Sequence, residues 1–299
     1  MQLLIFIVTF IVLLASACSP IASQADPQTG PVVFASTTFL ADMARNVAGN
    51  RLRVDSLLPL GADPHGYQPT PSDVAKISKS TVLIVNGLGY EQFLTTLLEN
   101  AGGERKLVEA STGLSPRKDS GLEHGVDPHM WLDPNNVITY VENIRDALAS
   151  ADPDGATIYK TNTDAYVVQL KSLDTWIVEQ VSQIPAGRRL LVTNHETLGY
   201  FADRYGFTVI GAVVPGFSTD AAPSAQQMAG LIDLIKSSGA PAIFLGQVEN
   251  DTLAAQIANQ TNAKVVSDLY LESLTDGAPA ATYIDMMKHN VTRIVKALK

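Results

Sequence analysis

The chain has 299 residues, of which 46% are hydrophobic and 17% are charged, so it can bury a large core and is too apolar to be disordered. Its length is typical of two domains. Acidic residues outnumber basic ones, which gives a net charge of −9. Because nucleic acids and anionic lipid head groups are bound by dense basic surfaces, and the chain has no run of Lys and Arg, both are excluded as main ligands.

The first 18 residues predict a secretory signal peptide that ends in a lipobox. Residues 1–17 carry no charged side chain, not even the usual Lys or Arg near the start, and the apolar run 3–17 is shorter than the roughly 20 residues that span a bilayer. Small residues precede Cys18, the single cysteine, whose acylation would anchor the mature protein. An ordinary cleaved signal or an uncleaved anchor are the alternatives, and all three place the folded part outside the cytoplasm. The polar segment 19–30 predicts a flexible tether.

Strand-like and helical segments alternate through residues 31–150, which we expect to form an N-terminal metal-binding lobe. Short apolar runs predict strands at 32–35, 52–58, 81–85 and 106–109. Helical spacing of apolar residues predicts helices at 38–47, from Ser72 onward, at 90–98 and at 135–148. This alternation favours a parallel sheet with helices on both faces.

The segment 156–183 contains no Pro or Gly and spaces its apolar residues mostly three or four apart, which predicts one long helix. We expect it to lie in a linking segment, 151–186, between two lobes. The pattern restarts in 187–299, the C-terminal metal-binding lobe, with strands at 189–193, 207–213, 241–245 and 264–266 and helices at 198–205, 224–235, 252–259 and 283–298. The predicted fold is α/β, with two lobes, each a mostly parallel sheet flanked by helices, joined by one long helix.

Three of the five histidines stand where a ligand site is expected. His65 and His129 each end the tripeptide Asp-Pro-His in a predicted loop, where Pro stiffens the backbone and keeps the preceding Asp out of a helix. His195 follows a predicted strand, and ligands of open α/β sheets bind beyond the carboxyl ends of strands. Since imidazole is a common ligand of zinc and of other divalent metals, these histidines predict a metal site.

Five long stretches of the sequence are specific enough to identify a family. They are ASTTFLADMARNVAG (35–49), LLPLGADPHGYQPTPSDVAKI (57–77), DPHMWLDPNN (127–136), LVTNHETLGYFADRYGF (191–207) and YLESLTDG (270–277). These stretches resemble the metal-binding solute receptors of bacterial zinc and manganese ABC importers, known as the cluster A-I family. The resemblance extends over nearly all of the chain after the tether.

The resemblance implies a four-ligand metal site formed by His65, His129, His195 and a C-terminal carboxylate. Family members commonly have Asp in a YxDSL-like segment, where this chain has Glu272, which is one methylene longer. Asp268 is the competing candidate, but the flanking residues align better around Glu272.

The ligand types favour zinc as the transported ion, with manganese as the alternative. Three imidazoles and one carboxylate suit zinc, whereas manganese prefers more oxygen ligands. In the family, manganese receptors often have Glu where this chain has His195, and dedicated zinc receptors often carry a His-rich loop before the second ligand. The corresponding segment here, 115–126, holds only His124, which we expect to be solvated.

The function implied by the resemblance is extracytoplasmic, high-affinity binding of a divalent transition metal and its delivery to the membrane permease of an ABC importer. We expect a monomer that is anchored through lipidated Cys18 or is periplasmic. One alternative is a zinc-dependent hydrolase with three His ligands, a water and Glu196 or Glu272 as base. Because such sites need an open position and no HExxH motif occurs, we expect no enzyme. An adhesin or metal chaperone on the same fold is the other alternative.

Three further residues have simpler interpretations. We expect Trp131 to pack in the core and His289, in the last predicted helix, to be exposed. Glu196 is interpreted as an acid at a helix N-terminus, where the helix dipole favours a negative charge.

Overall fold

The structure, a computed structural model, describes residues 30–117, 125–219, 222–247, 249 and 251–299. The predicted signal peptide, the acylation of Cys18, the tether up to residue 29 and His124 lie outside the described residues. Among the helices that are described, none combines the length and the apolar character needed to cross a bilayer.

The first half of the described chain forms a four-stranded parallel sheet in the order β2-β1-β3-β4. Its elements are β1 (Val33–Ala35), α1 (Thr38–Ala48), β2 (Val54–Ser56), α2 (Pro71–Ser78), β3 (Val82–Val85), α3 (Leu94–Ala101), β4 (Lys106–Glu109) and α4 (Pro134–Ala151). The central strands β1 and β3 are fully buried, as expected where helices cover both faces of a parallel sheet.

The second half repeats the same arrangement, with a parallel sheet in the order β6-β5-β7-β8. After the helix α5 (Ala156–Val181), its elements are β5 (Leu190–Thr193), α6 (Gly199–Tyr205), β6 (Thr208–Ala212), α7 (Ala225–Ser238), β7 (Ala242–Gly246), α8 (Thr252–Thr261), β8 (Lys264–Leu269) and α9 (Tyr283–Leu298). In both sheets the second strand lies at one edge, beside the first. The predicted α/β fold with two parallel sheets is confirmed.

The long helix α5 connects the two halves. It has 26 residues and is about 39 Å long at 1.5 Å per residue. One face is buried and includes Tyr159, Tyr166, Leu170 and Ile177, at the three-to-four spacing that places side chains on one side of a helix. This face packs against α1 and α4 of the first half and α9 of the second. The long connecting helix is confirmed, and the predicted lobe boundaries stay a prediction.

The largest cluster of buried apolar side chains is shared between the halves. It contains Val33 and Ile84 from the first sheet, Leu191 and Phe244 from the second, and the inner face of α5. Moving the lobes far apart would expose this surface to water, at a free-energy cost of about 25 cal/mol for each Å² of apolar surface. The shared core therefore favours small rearrangements over wide opening.

Several helices begin at side chains that cap them. Thr37 accepts a hydrogen bond from the first turn of α1, and Thr70 forms a capping box with Asp73 at the start of α2. Ser224 and Gln227 form the equivalent box at α7. Capping satisfies the free N–H groups of the first turn, so it fixes where the loop before each helix ends.

Helix α3 begins later than the sequence predicts. The expectation was 90–98, whereas the helix runs over Leu94–Ala101. Glu91 lies in the turn before α3, and its buried carboxylate accepts hydrogen bonds from the backbone N of Asn86 (2.6 Å) and the hydroxyl of Ser36 (2.7 Å). This side chain therefore ties the turn to the ends of β1 and β3.

Candidate metal centre

The four residues proposed as ligands all lie beyond the carboxyl ends of strands. His65 is in the loop between β2 and α2, and His129 directly precedes the short 3-10 turn Met130–Leu132 that leads into α4. His195 follows β5, and Glu272 lies in the loop between β8 and α9. In parallel sheets these ends form the crevice where ligands bind, and here the crevices of both sheets meet.

One atom from each of these side chains lies within 4.8 Å of the corresponding atom of the others. The Nε2 atom of His65 is 2.8 Å from Oε1 of Glu272, and the Nε2 atoms of His129 and His195 are 3.7 and 3.6 Å from the same oxygen. The three imidazole rings are 5.2 to 5.8 Å apart, centroid to centroid. The structure thus brings all four predicted residues to one point.

The cluster is buried and contains nitrogen atoms that have no hydrogen-bond partner among the described residues. Each of the four side chains is at most 2% exposed. Within the described part of the chain, Nε2 of His129 and Nε2 of His195 are buried and have no hydrogen-bond partner. A buried polar atom without a partner is costly and calls for an explanation, such as a bound ion.

In the cluster, burial and the charges of neighbouring groups shift the pKa values of Glu272 and His195 in opposite directions. Burial by itself raises the pKa of Glu272, but the surrounding imidazoles of His129, His195 and His65 hold this pKa well below its usual range. Burial by itself lowers the pKa of His195, but the carboxylates of Glu249 and Glu272 raise it to about 10. The cluster therefore keeps an ionised carboxylate in a buried place, which is an environment suited to a cation.

Two further carboxylates orient the imidazoles. Asp127 Oδ1 lies 2.9 Å from Nδ1 of His129, and Glu249 Oε1 lies 2.8 Å from Nδ1 of His195. Since a carboxylate accepts, each Nδ1 carries a hydrogen, and each Nε2 faces the cluster, where it offers a lone pair to a metal ion once it has released any proton of its own. Partners of this kind fix the tautomer and the orientation of metal-ligating histidines.

The repeated tripeptide Asp-Pro-His forms the same local structure twice. Asp63 Oδ1 accepts a hydrogen bond from the backbone N of His65 (2.9 Å), and Asp127 Oδ1 accepts one from the backbone N of His129 (3.0 Å). Asp side chains commonly bond the backbone two residues later. Asp63 also accepts from the hydroxyl of Thr219 (2.7 Å), which belongs to the second half.

The competing carboxylate, Asp268, is not part of the cluster. Its side chain is 44% exposed and forms an ion pair with Arg293 at 2.8 Å. The expectation that His289 is exposed is wrong, because its side chain is only 18% exposed. Its Nε2 atom donates to the carbonyl of Asp268 (2.8 Å), and its ring packs against Tyr270.

Sequence reasoning missed two residues that act around the site. Glu249 follows β7 as His195 follows β5, so its position at a strand end was a signal that could have found it. Trp131 is buried and stacks on Phe39 as a packing residue should (4.5 Å between centroids). Its Nε1 also donates to the carbonyl of Leu271 (2.9 Å), beside Glu272, and no local pattern reveals that contact.

A family described as "Zinc-uptake complex component A periplasmic", ZnuA, matches residues 33–297, which is nearly all of the described chain. The chain belongs to this family. The resemblance to metal-binding receptors of ABC importers is therefore confirmed. The ZnuA family and its relatives are solute-binding proteins and not enzymes, so the hydrolase alternative is not supported.

Curated relatives of this ZnuA-family chain carry the names of different metals. The manganese-binding lipoprotein MntA of Halalkalibacterium halodurans is 36% identical over 98% of this chain and 97% of its own length. The iron-binding protein YfeA of Yersinia pestis is 32% identical over 97% of this chain and 93% of its own. The names of its relatives alone therefore do not indicate one metal.

Solved structures share the fold of this ZnuA-family chain. The periplasmic zinc-binding protein TroA of Treponema pallidum has a TM-score of 0.84 and 27% identity, covering 90% of this chain and 99% of that one. A manganese-bound periplasmic metal-binding protein from Candidatus Liberibacter asiaticus has a TM-score of 0.81 and 28% identity, covering 90% and 100%.

Proposed function

We propose that this protein captures one divalent transition metal ion with His65, His129, His195 and Glu272, and delivers it to the membrane permease of an ABC importer. The observation that carries the proposal is the convergence of four potential ligand atoms within 4.8 Å in a buried place. Membership of the ZnuA family supports the transport role.

Zinc is the ion that the donor atoms favour. Three imidazole nitrogens and one carboxylate oxygen suit the tetrahedral coordination of zinc, whereas manganese prefers a shell richer in oxygen. Manganese is the alternative cargo, because a relative that is 36% identical is named manganese-binding.

The number of protein ligands supports transport over catalysis. Four ligands fill a tetrahedral zinc shell, and a catalytic zinc needs an open position for water. The burial of the cluster also favours tight binding, because the unpaired Nε2 atoms of His129 and His195 gain a partner when the ion enters.

We place the protein outside the cytoplasm, as a monomer anchored through an acylated Cys18 or free in the periplasm. Relatives named as lipoproteins support the anchored form, including MntA and the metal-transporter lipoprotein SsaB of Streptococcus sanguinis. Mass spectrometry of the protein from membranes tests this placement. An unprocessed chain without a lipid on Cys18 would contradict the anchor.

Metal analysis and competitive titration of the purified protein test the binding function. We expect one equivalent of zinc, bound more tightly than manganese by on the order of a hundredfold, because nitrogen donors prefer zinc. His195→Ala should lose tight binding. His289→Gln, which changes a histidine outside the cluster, is the matched control and should bind like the parent. A parent that binds neither ion would overturn the proposal, and tighter binding of manganese would overturn the zinc preference.

Delivery to a permease is tested in cells. A strain without the gene for this protein should accumulate less zinc under chelator, and the parent gene should restore uptake. The His195→Ala gene should not restore it at equal protein level. Restoration by that variant would separate uptake from this site and contradict the delivery role.

A further inference from the structure

The loop that carries Glu272 belongs to the second half by chain connection, but it is hydrogen-bonded to the first half around the ligand. Three such bonds flank Glu272. They are Trp131 Nε1 to the Leu271 carbonyl (2.9 Å), Gly61 N to Ser273 Oγ (2.8 Å) and Leu274 N to Thr38 Oγ1 (2.8 Å). All three partners come from the half that also carries His65 and His129.

Thr38, at the start of α1, makes the contact farthest along the loop. It is 7% exposed, and its Oγ1 accepts the hydrogen bond from Leu274 N and lies 3.5 Å from Ser273 Oγ. A buried backbone N–H needs an acceptor, so the hydroxyl of Thr38 is the group that fixes the backbone two residues after Glu272. Ser273 is held at the same place, since it also accepts from Gly61 N.

Among the described residues, the hydrogen bonds of this loop to its own half lie outside the segment 271–274. Asn290 on α9 bonds both the N and the carbonyl of Tyr270, at 2.8 and 2.7 Å. Thr275 closes the far side of the loop by bonds to Gly277 and Ala280. Within the segment 271–274 itself, Ser273 Oγ donates a longer hydrogen bond, 3.1 Å, to the Leu274 carbonyl.

His195 is held in the opposite way. Its Nδ1 bonds Glu249, in the loop after β7, and its backbone carbonyl accepts from Thr193 and Thr197. These partners all belong to the second half. Three of the four side chains, those of His65, His129 and Glu272, are therefore held by the first half, and His195 is held by the second. By chain connection, however, each half contributes two.

We propose that Thr38 is a positioning residue for Glu272. Together with Trp131 and Gly61, it holds the carboxylate against His65 and His129, so that three ligands form one unit on the first half and His195 completes it. This inference rests on the proposed metal-binding function and deepens it. Loss of the Thr38 hydroxyl leaves every ligand present and allows Glu272 to withdraw, which shortens the residence time of the ion.

The test compares three substitutions of threonine by the rate at which zinc leaves the protein, measured by rapid mixing of the zinc-loaded chain with excess chromogenic chelator. Thr38→Val keeps the shape of the side chain but removes its hydroxyl, and Thr38→Ser restores the hydroxyl. Thr275→Val is the matched control, because it removes a hydroxyl from the same loop that bonds only within the loop.

We expect Thr38→Val to release zinc roughly tenfold faster than the parent, in the range known for partners that orient metal ligands. Thr38→Ser and Thr275→Val should have zinc dissociation rates within about twofold of the parent, because both leave a hydroxyl at position 38 to accept from Leu274 N. Ser273→Ala, which removes the acceptor of Gly61 N, should also speed zinc release. It replaces Thr38→Val in the test if Thr38→Val does not fold.

A purely structural role of Thr38 gives a different result. In that case Thr38→Val lowers the unfolding midpoint of the metal-free protein without changing the zinc dissociation rate, and the inference is overturned. Equal rates for Thr38→Val and Thr275→Val also overturn it, while leaving the proposed function intact. A parent that takes up no zinc overturns the proposed function itself.

Discussion

The Nε2 atom of His65 lies 2.8 Å from Oε1 of Glu272, although 207 positions separate the two residues in the chain. His65 comes from the first sheet and Glu272 from the loop that follows the last strand of the second. Both halves must therefore fold and pack before this contact exists. The first and the last of the four clustered residues meet directly, which makes the site a property of the whole chain.

Glu272 supplies the negative charge of the cluster, so Glu272→Gln should weaken zinc binding by more than roughly a hundredfold. That is the largest loss usual for residues that only orient the metal ligands, and a direct ligand should exceed it. The amide keeps nearly the same size but lacks the charge that three imidazoles surround. Competitive titration measures the change. Asp268→Asn is the control, because Asp268 is half-exposed and paired with Arg293. If Asp268→Asn has the larger effect, Asp268 is the fourth ligand.

Glu249→Gln should weaken zinc binding by between about 10-fold and 100-fold, because the charged partner of His195 Nδ1 is lost while the imidazole stays. Asp127→Asn should act likewise through His129. The same titration checks both. Glu196→Gln is the control: Glu196 adjoins His195, but within the described part of the chain its carboxylate accepts one long hydrogen bond, 3.4 Å, from Gly216 N. A loss of affinity in this control equal to that of Glu249→Gln would contradict the orienting role.

The titration of Asp42 should make the free energy of unfolding depend on pH. It is a buried residue of α1, its Oδ2 accepts from the backbone N of Tyr283, and burial raises the pKa of Asp42 to about 6. The unfolded chain has a pKa near 3.9 at this residue, so between about pH 4 and 6 the folded state binds more protons. Folding should thus gain stability from this group as the pH falls through that range.

Asp42→Asn should remove this dependence, because the amide keeps an acceptor for Tyr283 N without an ionisable group. The variant should exceed the parent in free energy of unfolding at pH 7.5 by roughly 2 kcal/mol, and the difference should shrink toward pH 4. Urea unfolding of the metal-free proteins across this range measures it. A difference that stays constant with pH would show that ionisation of Asp42 is not its cause.

Gly199 should not tolerate alanine. A Cβ there would lie 1.6 Å from Arg117 Nη1 and 2.8 Å from the carboxylate of Asp127, which is fully buried. Because the Asp127 carboxylate has to shift, Gly199→Ala should lower the free energy of unfolding by about 1 to 3 kcal/mol. Gly230→Ala, in an exposed position of α7 with open space around it, should instead raise it by up to about 1 kcal/mol. Chemical unfolding distinguishes the two, and loss of stability in both would point to a general cost of replacing helical glycine.

Much of the fold was predictable because it follows from local patterns. The strand at 106–109 and the helix at 283–298 have the predicted bounds, and in the helix the apolar residues spaced three or four apart form the buried face. The later start of α3 was not predictable from local spacing, since the turn before it holds Glu91, which accepts a hydrogen bond from the hydroxyl of Ser36, 55 positions away. The partial burial of His289 likewise reflects contacts with Asp268 of β8 and with Tyr270, which follows that strand.

The sequence by itself determined the alternating strands and helices, the long α5, and the histidines at strand ends, because each of these is encoded within a few neighbouring residues. Only the tertiary structure shows that Glu272 lies beside the three histidines while Asp268 does not, and that Glu249 bonds His195 while Trp131 and Thr38 bond the loop around Glu272. The physical reason is distance along the chain. Hydrogen bonds and charge pairs between remote segments depend on how two separate sheets pack, and no local spacing of residues records that geometry.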